Sequence, residues 1–115
     1  MMKTLTYLAA PYSGTQEQIE ARMAKFYEVD AILMQRGHFT VSPLFKHVIL
    51  PYGNIPGDWS YWKDYSRVML SKCSEMIIIA MDGWSTSEGV LGEMSICREF
   101  GIPFKIFDLE TGEIS

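Results

Sequence analysis

The sequence has no run of basic residues. Its ten lysines and arginines are scattered along the chain, and fourteen acidic residues leave a formal net charge of -4 at pH 7. A protein that binds polymeric nucleic acid usually carries a basic patch that neutralises the phosphates. The charge pattern therefore predicts no polymeric nucleic acid partner.

Long apolar runs are absent as well. No stretch approaches the roughly 18 uninterrupted apolar residues of a membrane-spanning helix. Residues 1–7 are too few and too mixed in polarity to form a signal peptide. We therefore expect a cytoplasmic protein with no membrane partner.

Cysteine is scarce, with only Cys73 and Cys97 in the chain. Both fall in segments with helical periodicity, and neither has a second Cys or a His at the spacing of a zinc site or a redox pair. Free cysteines are often buried. The spacing predicts two reduced packing residues and no metal site.

The composition is that of a globular protein, with 48% apolar and 21% charged residues among 115. This length is within the range of one domain and suffices for a core without a disulfide or a metal. We expect a single domain over residues 1–115.

Periodicity and turn residues predict alternating strands and helices. The strands are expected at 4–9, 39–42, 76–80 and 104–107, and the helices at about 15–37, 58–72 and 87–100. Residues 43–57 show little periodicity and several prolines and glycines, so they are predicted to form an ordered loop that acts as a lid.

This alternation predicts an α/β fold with a parallel sheet between two layers of helices. The unbroken apolar run at 76–80 is typical of a central strand that is buried on both faces. Ligands bind such sheets at the carboxyl ends of the strands. The candidate site segments are therefore 10–14, 43–47 and 82–93.

The third predicted helix carries the first chemical hypothesis. Its start near Ser87 leaves free backbone N–H groups that can bind an anion. Gly89 lies one turn before Glu93 and leaves room for a sugar against the helix, where the Glu93 carboxylate could attack an anomeric carbon. The alternative is that the glycines only permit close packing of helix and strand, and that Glu93 is solvated.

Two further groups have both a functional and a structural interpretation. Ser13 and Arg22 could bind an anion at the start of the first helix, or they could belong to an ordinary turn with a solvated arginine. His47 could be a catalyst or a hydrogen-bonded structural residue. The three tryptophans could line one pocket that stacks a base, with a core role for at least one: Trp59, Trp62 and Trp84.

Three segments together resemble the nucleoside 2-deoxyribosyltransferase superfamily. They are residues 7–14 (YLAAPYSG), 42–44 (SPL) and 82–93 (DGWSTSEGVLGE), and the likeness extends over nearly the whole chain. It is closest to the small uncharacterised members and more distant to the deoxynucleoside 5′-monophosphate N-glycosidases. The resemblance implies a flavodoxin-like three-layer sandwich with four or five parallel strands.

The resemblance also implies an activity, namely cleavage of an N-glycosidic bond through a glutamate ester. It further implies assembly into dimers or tetramers, without a metal or redox cofactor. Carried over position by position, it assigns the nucleophile to Glu93, the 5′-phosphate contact to Ser87 and a second phosphate ligand to Arg22. Tyr7 would lie beside the sugar and the carboxylate. The remaining walls of the phosphate and sugar sites would come from Ser13, Gly14 and Gly89.

The chain departs from the family pattern at Ser66, where relatives carry an aspartate that assists protonation of the leaving base. The acid role would then fall to Asp64, Asp82 or His47. Asp82 and Trp84 are also candidate substrate contacts in the loop before the third helix. We expect an enzyme that releases or exchanges the base of a small-molecule nucleoside or nucleoside 5′-monophosphate. The alternative is a nucleotide-binding or sensor module without turnover.

Overall fold

The computed structural model describes residues 4–115. Residues 1–3, which belong to the segment 1–7 that is not expected to be a signal peptide, lie outside the described part. In this part the strands are β1 (Leu5–Ala9), β2 (Phe39–Val41), β3 (Cys73–Ile79) and β4 (Phe104–Phe107). They form one sheet of order β2-β1-β3-β4 in which every pairing is parallel. The predicted parallel sheet is confirmed, with four strands.

The helices are α1 (Gln16–Gln35), α2 (Leu50–Gly53), α3 (Trp59–Leu70) and α4 (Glu88–Phe100). The predicted capping box starts α1, because the Thr15 hydroxyl accepts from the Gln18 N–H and the Gln18 side chain accepts from the Thr15 N–H. Within residues 4–115, no helix is both long enough and apolar enough to cross a membrane.

Two apolar clusters lie on opposite faces of the sheet. Successive residues of β3 alternate between them, with Ile77 facing α1 and Ile78 facing α3 and α4. Phe26 and Leu33 of α1 complete the first cluster, and Leu70 of α3 belongs to the second. Helices on both faces of a parallel sheet give the three-layer α/β sandwich of flavodoxin-like type that the sequence predicts.

Residues 43–57 differ from the predicted loop. Residues Pro43–Ile49 form a 3-10 helix, which runs directly into α2. Ser42 starts it, since its hydroxyl accepts from the Leu44 N–H, and Asn54 ends α2 in the left-handed conformation. A helix with three residues per turn does not produce the amphipathic period that reveals an α-helix, so the prediction of a loop was wrong for this part.

Cys73 also lies outside the predicted helix, because α3 ends at Leu70 and Cys73 is the first residue of β3. Cys97 lies in α4 as predicted. Both thiols are free and buried. Burial raises the pKa of each to about 11, so both are protonated at neutral pH. The interpretation of the two cysteines as packing residues is confirmed.

The topology brings two loops together at the carboxyl ends of the two central strands. Strands β1 and β3 are neighbours, yet the chain leaves β1 toward α1 on one face and leaves β3 toward α4 on the other. The carboxyl ends of two such strands form the switch point at which α/β sheets bind ligands.

Candidate functional site

A cavity of about 380 Å³ opens at this switch point. Its wall comes from the loop after β1, the 3-10 helix Pro43–Ile49, α3 and the start of α4. The volume lies at the lower end of the range for small-molecule sites, which is roughly 300 to 1,000 Å³. Six predicted site residues line it: Ser13, Arg22, His47, Ser87, Gly89 and Glu93.

Glu93 reaches the cavity from inside α4, where it is only 8% exposed. Tyr7, which is fully buried in β1, donates its hydroxyl hydrogen to Oε2 of Glu93. The side chain of Glu93 is therefore buried and accepts one hydrogen bond, unlike the solvated Glu93 of the alternative interpretation. The sheet and α4 thus hold this carboxylate at the cavity wall.

Burial decides the charge of this pair. Desolvation raises the pKa of Glu93 to about 8, and the hydrogen bond from Tyr7 opposes the rise. Burial also raises the pKa of Tyr7 well above its usual value, and the neighbouring Glu93 adds to this rise. Tyr7 therefore remains protonated and keeps donating to Glu93 at neutral pH.

Ser66 lies beside this pair. It is buried on α3 and lines the cavity, and its hydroxyl lowers the pKa of Tyr7 against the larger effect of burial. Sequence reasoning noticed Ser66 only as a departure from a family pattern. Its spacing from Trp62 and Leu70, four residues on either side, was the signal that it faces inward.

The glycine at position 92 is explained by Trp59. A Cβ at Gly92 would lie 2.8 Å from Trp59 Nε1 and closer still to two ring carbons, whereas a Cβ at Gly89 would lie 3.8 Å from Cε3. The indole therefore lies on the surface of α4 across both glycines. Close packing does account for Gly92, but the partner is a side chain of α3 and not the strand expected from the sequence.

Gly92→Ala is expected to lower the free energy of unfolding by about 1–3 kcal/mol, because the methyl group overlaps the indole. Gly89→Ala is the matched control. Its methyl group makes an ordinary contact, and alanine favours the helix by about 1 kcal/mol over glycine. Urea unfolding of both variants measures the difference, and equal stability of the two would contradict the packing of Trp59 on Gly92.

Polar groups converge on the other end of the cavity, at the start of α4. Ser87 is the N-cap residue, and its hydroxyl accepts from the Val90 N–H. The guanidinium of Arg22 donates through Nη1 to the Ser13 carbonyl and through Nη2, at 3.4 Å, to the Asp82 carbonyl. Arg22 is half-buried, and its two hydrogen bonds join the two loops of the switch point. It therefore differs from the solvated arginine of the alternative interpretation.

Five predicted site residues lie off the cavity wall, and one of them is Tyr7, which lies behind Glu93. Asp64 and Asp82 have exposed side chains outside the lining, and Trp84 packs against the core cluster of α3 and α4. Gly14 makes room for Gln18, whose Oε1 would lie 2.5 Å from an added Cβ. Two of the three tryptophans, Trp59 and Trp62, line the cavity as expected from the sequence.

The leaving-group acid is the part of the predicted site that changes most. Of the three candidates only His47 lines the cavity, and burial lowers its pKa to about 4, so it is uncharged at neutral pH. Two carboxyl groups missed by sequence reasoning also line the wall, those of Asp58 and Glu88. A hydrogen bond from Ser60 lowers the pKa of Asp58, which keeps it a carboxylate.

Comparison with curated proteins found no match to this sequence. One family model matches residues 4–109, a range that contains all four strands and the whole cavity wall. The chain therefore belongs to the family described as a domain of unknown function, DUF1937.

Proposed function

We propose that the protein cleaves the N-glycosidic bond of a nucleoside or nucleoside 5′-monophosphate through a covalent ester on Glu93. One observation carries this proposal: a buried carboxylate, held by Tyr7, lies on the wall of a cavity at the switch point. The resemblance of segments 7–14 and 82–93 to the nucleoside 2-deoxyribosyltransferase superfamily supports it.

The reaction takes place in two substitutions at one carbon. Because Tyr7 donates to Oε2 of Glu93, we assign the attack to Oε1, which forms a bond to the anomeric carbon. The C–N bond breaks, its electron pair leaves with the base, and the departing base takes a proton from solvent water. A water molecule then attacks the same carbon, returns a proton to the solvent and releases the sugar and the Glu93 carboxylate. A second base in place of water would give exchange.

The polar end of the cavity suits a 5′-phosphate. The N-terminus of α4 directs backbone N–H groups and a positive dipole end toward the cavity, and Arg22 adds a full positive charge beside it. A sugar held between this end and Glu93 would lie along the first turn of α4 at Gly89, next to the Trp59 indole. This arrangement favours the monophosphate over the nucleoside.

A second candidate function is a nucleotide-binding module without turnover. It is favoured by Ser66, which by the resemblance occupies the place of the acid that relatives carry and supplies only a hydroxyl on the cavity wall. One experiment separates the two functions. The protein is incubated with ribo- and deoxyribonucleosides and with their 5′-monophosphates, and free base is measured by chromatography. Release of base supports the enzyme, and tight binding without release supports the binding module.

Ser87→Ala tests the phosphate end. We expect kcat/KM for the monophosphate to fall at least about tenfold more than kcat/KM for the nucleoside, since charge-assisted hydrogen bonds contribute about 1.5–3 kcal/mol. The substitution also removes the N-cap hydrogen bond of α4, and the resulting loss of protein stability affects the assays with both substrates equally. Ser85→Ala, an exposed serine outside the cavity lining, is the control. An equal loss with both substrates would show that Ser87 does not bind phosphate.

A further inference from the structure

The cavity wall carries more negative than positive charge. Among the described residues that line it, the only guanidinium is that of Arg22, whereas three residues have carboxyl groups: Asp58, Glu88 and Glu93. The hydrogen bond from Ser60 keeps Asp58 a carboxylate, and Glu88 is exposed, so its carboxyl group is ionised at neutral pH. Once Glu93 is ionised for attack, three negative charges and one positive charge give the wall a net charge of -2.

Asp58 and Glu88 belong to one region of this wall. Asp58 is the N-cap residue of α3, and Glu88 is the first residue of α4. The next residues along the two chain segments, Trp59 and Gly89, lie side by side, since a Cβ at Gly89 would be 3.8 Å from Cε3 of the indole. The two carboxylates therefore flank one contact between α3 and α4 at the starts of both helices.

Aromatic rings make up much of the remaining wall, namely those of Tyr12, Trp59 and Trp62. Trp62 is held by a 2.7 Å hydrogen bond from Nε1 to the Pro56 carbonyl. Gly57 brings the same segment close to Tyr12, because a Cβ at Gly57 would lie 3.5 Å from Cε2 of that ring. The faces of aromatic rings attract cations, most strongly where water is excluded. Aromatic rings and carboxylates on one wall suit a flat ring with a positive charge.

The titratable side chains on the wall are poorly suited to protonate a departing base. Asp58 and Glu88 are ionised at neutral pH. Burial lowers the pKa of His47 to about 4, so its imidazole is uncharged, and burial raises the pKa of Tyr12, so its hydroxyl keeps its proton. Ser66, which by the resemblance takes the place of the acid, supplies only a hydroxyl. A base that needs a proton to leave has to take it from water.

We propose that the protein acts on nucleotides whose base carries a positive charge while it is joined to the sugar, such as an N-glycosyl pyridinium or an N7-alkylated purine. This inference rests on the proposed function for the attack by Glu93, and it names the class of base that the cavity accepts. Asp58 and Glu88 are the specificity residues, and the aromatic rings of the wall contact the charged ring.

Such a base leaves without a general acid. Oε1 of Glu93 forms the bond to the anomeric carbon, the C–N bond breaks, and its electron pair cancels the positive charge of the base. The base departs as a neutral molecule, so this step takes up no proton. Water then attacks the same carbon and releases the Glu93 carboxylate, and the one proton set free is that of the attacking water.

The net charge of the ligand also favours a cationic base. A 5′-monophosphate with a neutral base brings roughly two negative charges to a wall that is already negative. A positive base offsets one of them and is attracted to Asp58 and Glu88, while the phosphate lies beside Arg22. In a cavity of about 380 Å³ a nucleotide contacts most of the wall, so its base reaches the part that the sugar and the phosphate leave free.

Binding to a turnover-deficient protein tests the recognition of the charge. In the Glu93→Gln parent, calorimetry compares nicotinamide mononucleotide, which has a cationic pyridinium, with its reduced form, which has a neutral ring of nearly the same size. We expect the cationic form to bind at least about tenfold more tightly. Adding Asp58→Asn together with Glu88→Gln should reduce this ratio to about threefold or less. Asparagine is as good an N-cap residue as aspartate, so α3 is expected to persist.

The matched control removes two exposed carboxyl groups outside the cavity lining, by Glu17→Gln together with Glu99→Gln. It changes the net charge of the protein by the same amount and should keep the parent's ratio. If the double variant does not fold, Glu88→Gln alone should lower the ratio at least about twofold. Equal affinity for the two forms in the parent, or a ratio that the folded Asp58 and Glu88 variants leave unchanged, would overturn the inference.

Release of base by the wild-type protein separates this inference from the proposed function. We expect kcat/KM for nicotinamide mononucleotide and 7-methylguanosine 5′-monophosphate to exceed that for guanosine 5′-monophosphate at least about 10²-fold. Equal or faster release from the neutral base would overturn this inference and keep the proposed function. Selective binding of the cationic form without any release would keep the recognition of the charged base and overturn catalysis. If no nucleotide binds and no base is released, both are overturned.

Discussion

Glu93→Gln should lower kcat/KM for release of free base by at least about 10³-fold, the scale of loss when a covalent nucleophile is removed. The amide cannot form the ester, but its oxygen can still accept the hydrogen bond from Tyr7, so the fold and the cavity are expected to persist. Chromatography of free base under single-turnover conditions measures the loss, and circular dichroism checks the fold.

The control for this substitution lies on the same helix. Glu99 of α4 is exposed and forms an ion pair with Arg67 at 2.6 Å and 2.8 Å, away from the cavity lining. Glu99→Gln should change kcat/KM less than about twofold, and loss of such an exposed ion pair should change stability little. Equal base release by the wild-type protein and Glu93→Gln would remove Glu93 as the nucleophile.

The rate should depend steeply on pH, because only the ionised form of Glu93 can attack. Its pKa is raised to about 8, so the carboxyl group is mostly protonated at pH 6 and mostly ionised above pH 8. Log kcat/KM is therefore expected to rise by about one per pH unit up to a plateau above about pH 8. A profile of kcat/KM from pH 5 to pH 10, on a substrate that does not itself titrate there, tests this.

Tyr7→Phe makes the pH test specific to the buried pair. Tyr7 donates the hydrogen bond that lowers the pKa of Glu93, so its removal should move the whole profile to higher pH. Tyr27→Phe, at an exposed tyrosine outside the cavity lining, should leave the profile in place. A rate that stays flat between pH 6 and pH 8 in the wild-type protein would contradict the assignment of Glu93 as an ionised nucleophile.

The layers of the fold could be predicted because apolar runs and helix caps are local features of the sequence. The apolar run that becomes β3 is buried on both faces, and the capping box at Thr15 starts α1 where expected. The 3-10 helix Pro43–Ile49 buries only Pro43, so its formation depends on contacts with the rest of the protein and not on a periodic apolar face. Residues 43–57 could not be described correctly from the sequence for that reason.

The site could be predicted only in part, because its geometry depends on contacts between elements far apart in the chain. The spacing of Gly89 and Glu93 predicted that the two residues share one face of α4, and both line the cavity. The contact of Trp59 with Gly92 and the position of Ser66 next to Tyr7 link α3 to α4 and to the sheet, and no local pattern reveals such pairs. Asp64 does not reach the cavity for the same reason, because the faces of α3 are set by its packing.

The guanidinium of Arg22 links the order of two loops to the occupancy of the cavity. Two of its five N–H donors bond the carbonyls of Ser13 and Asp82, one in each loop of the switch point. The remaining donors can bond an anion while these contacts hold, so the two loops fix the position from which Arg22 meets a ligand. Anion binding and loop anchoring are then linked equilibria: a bound anion favours the loop arrangement that binds it better, by the same factor by which that arrangement strengthens binding.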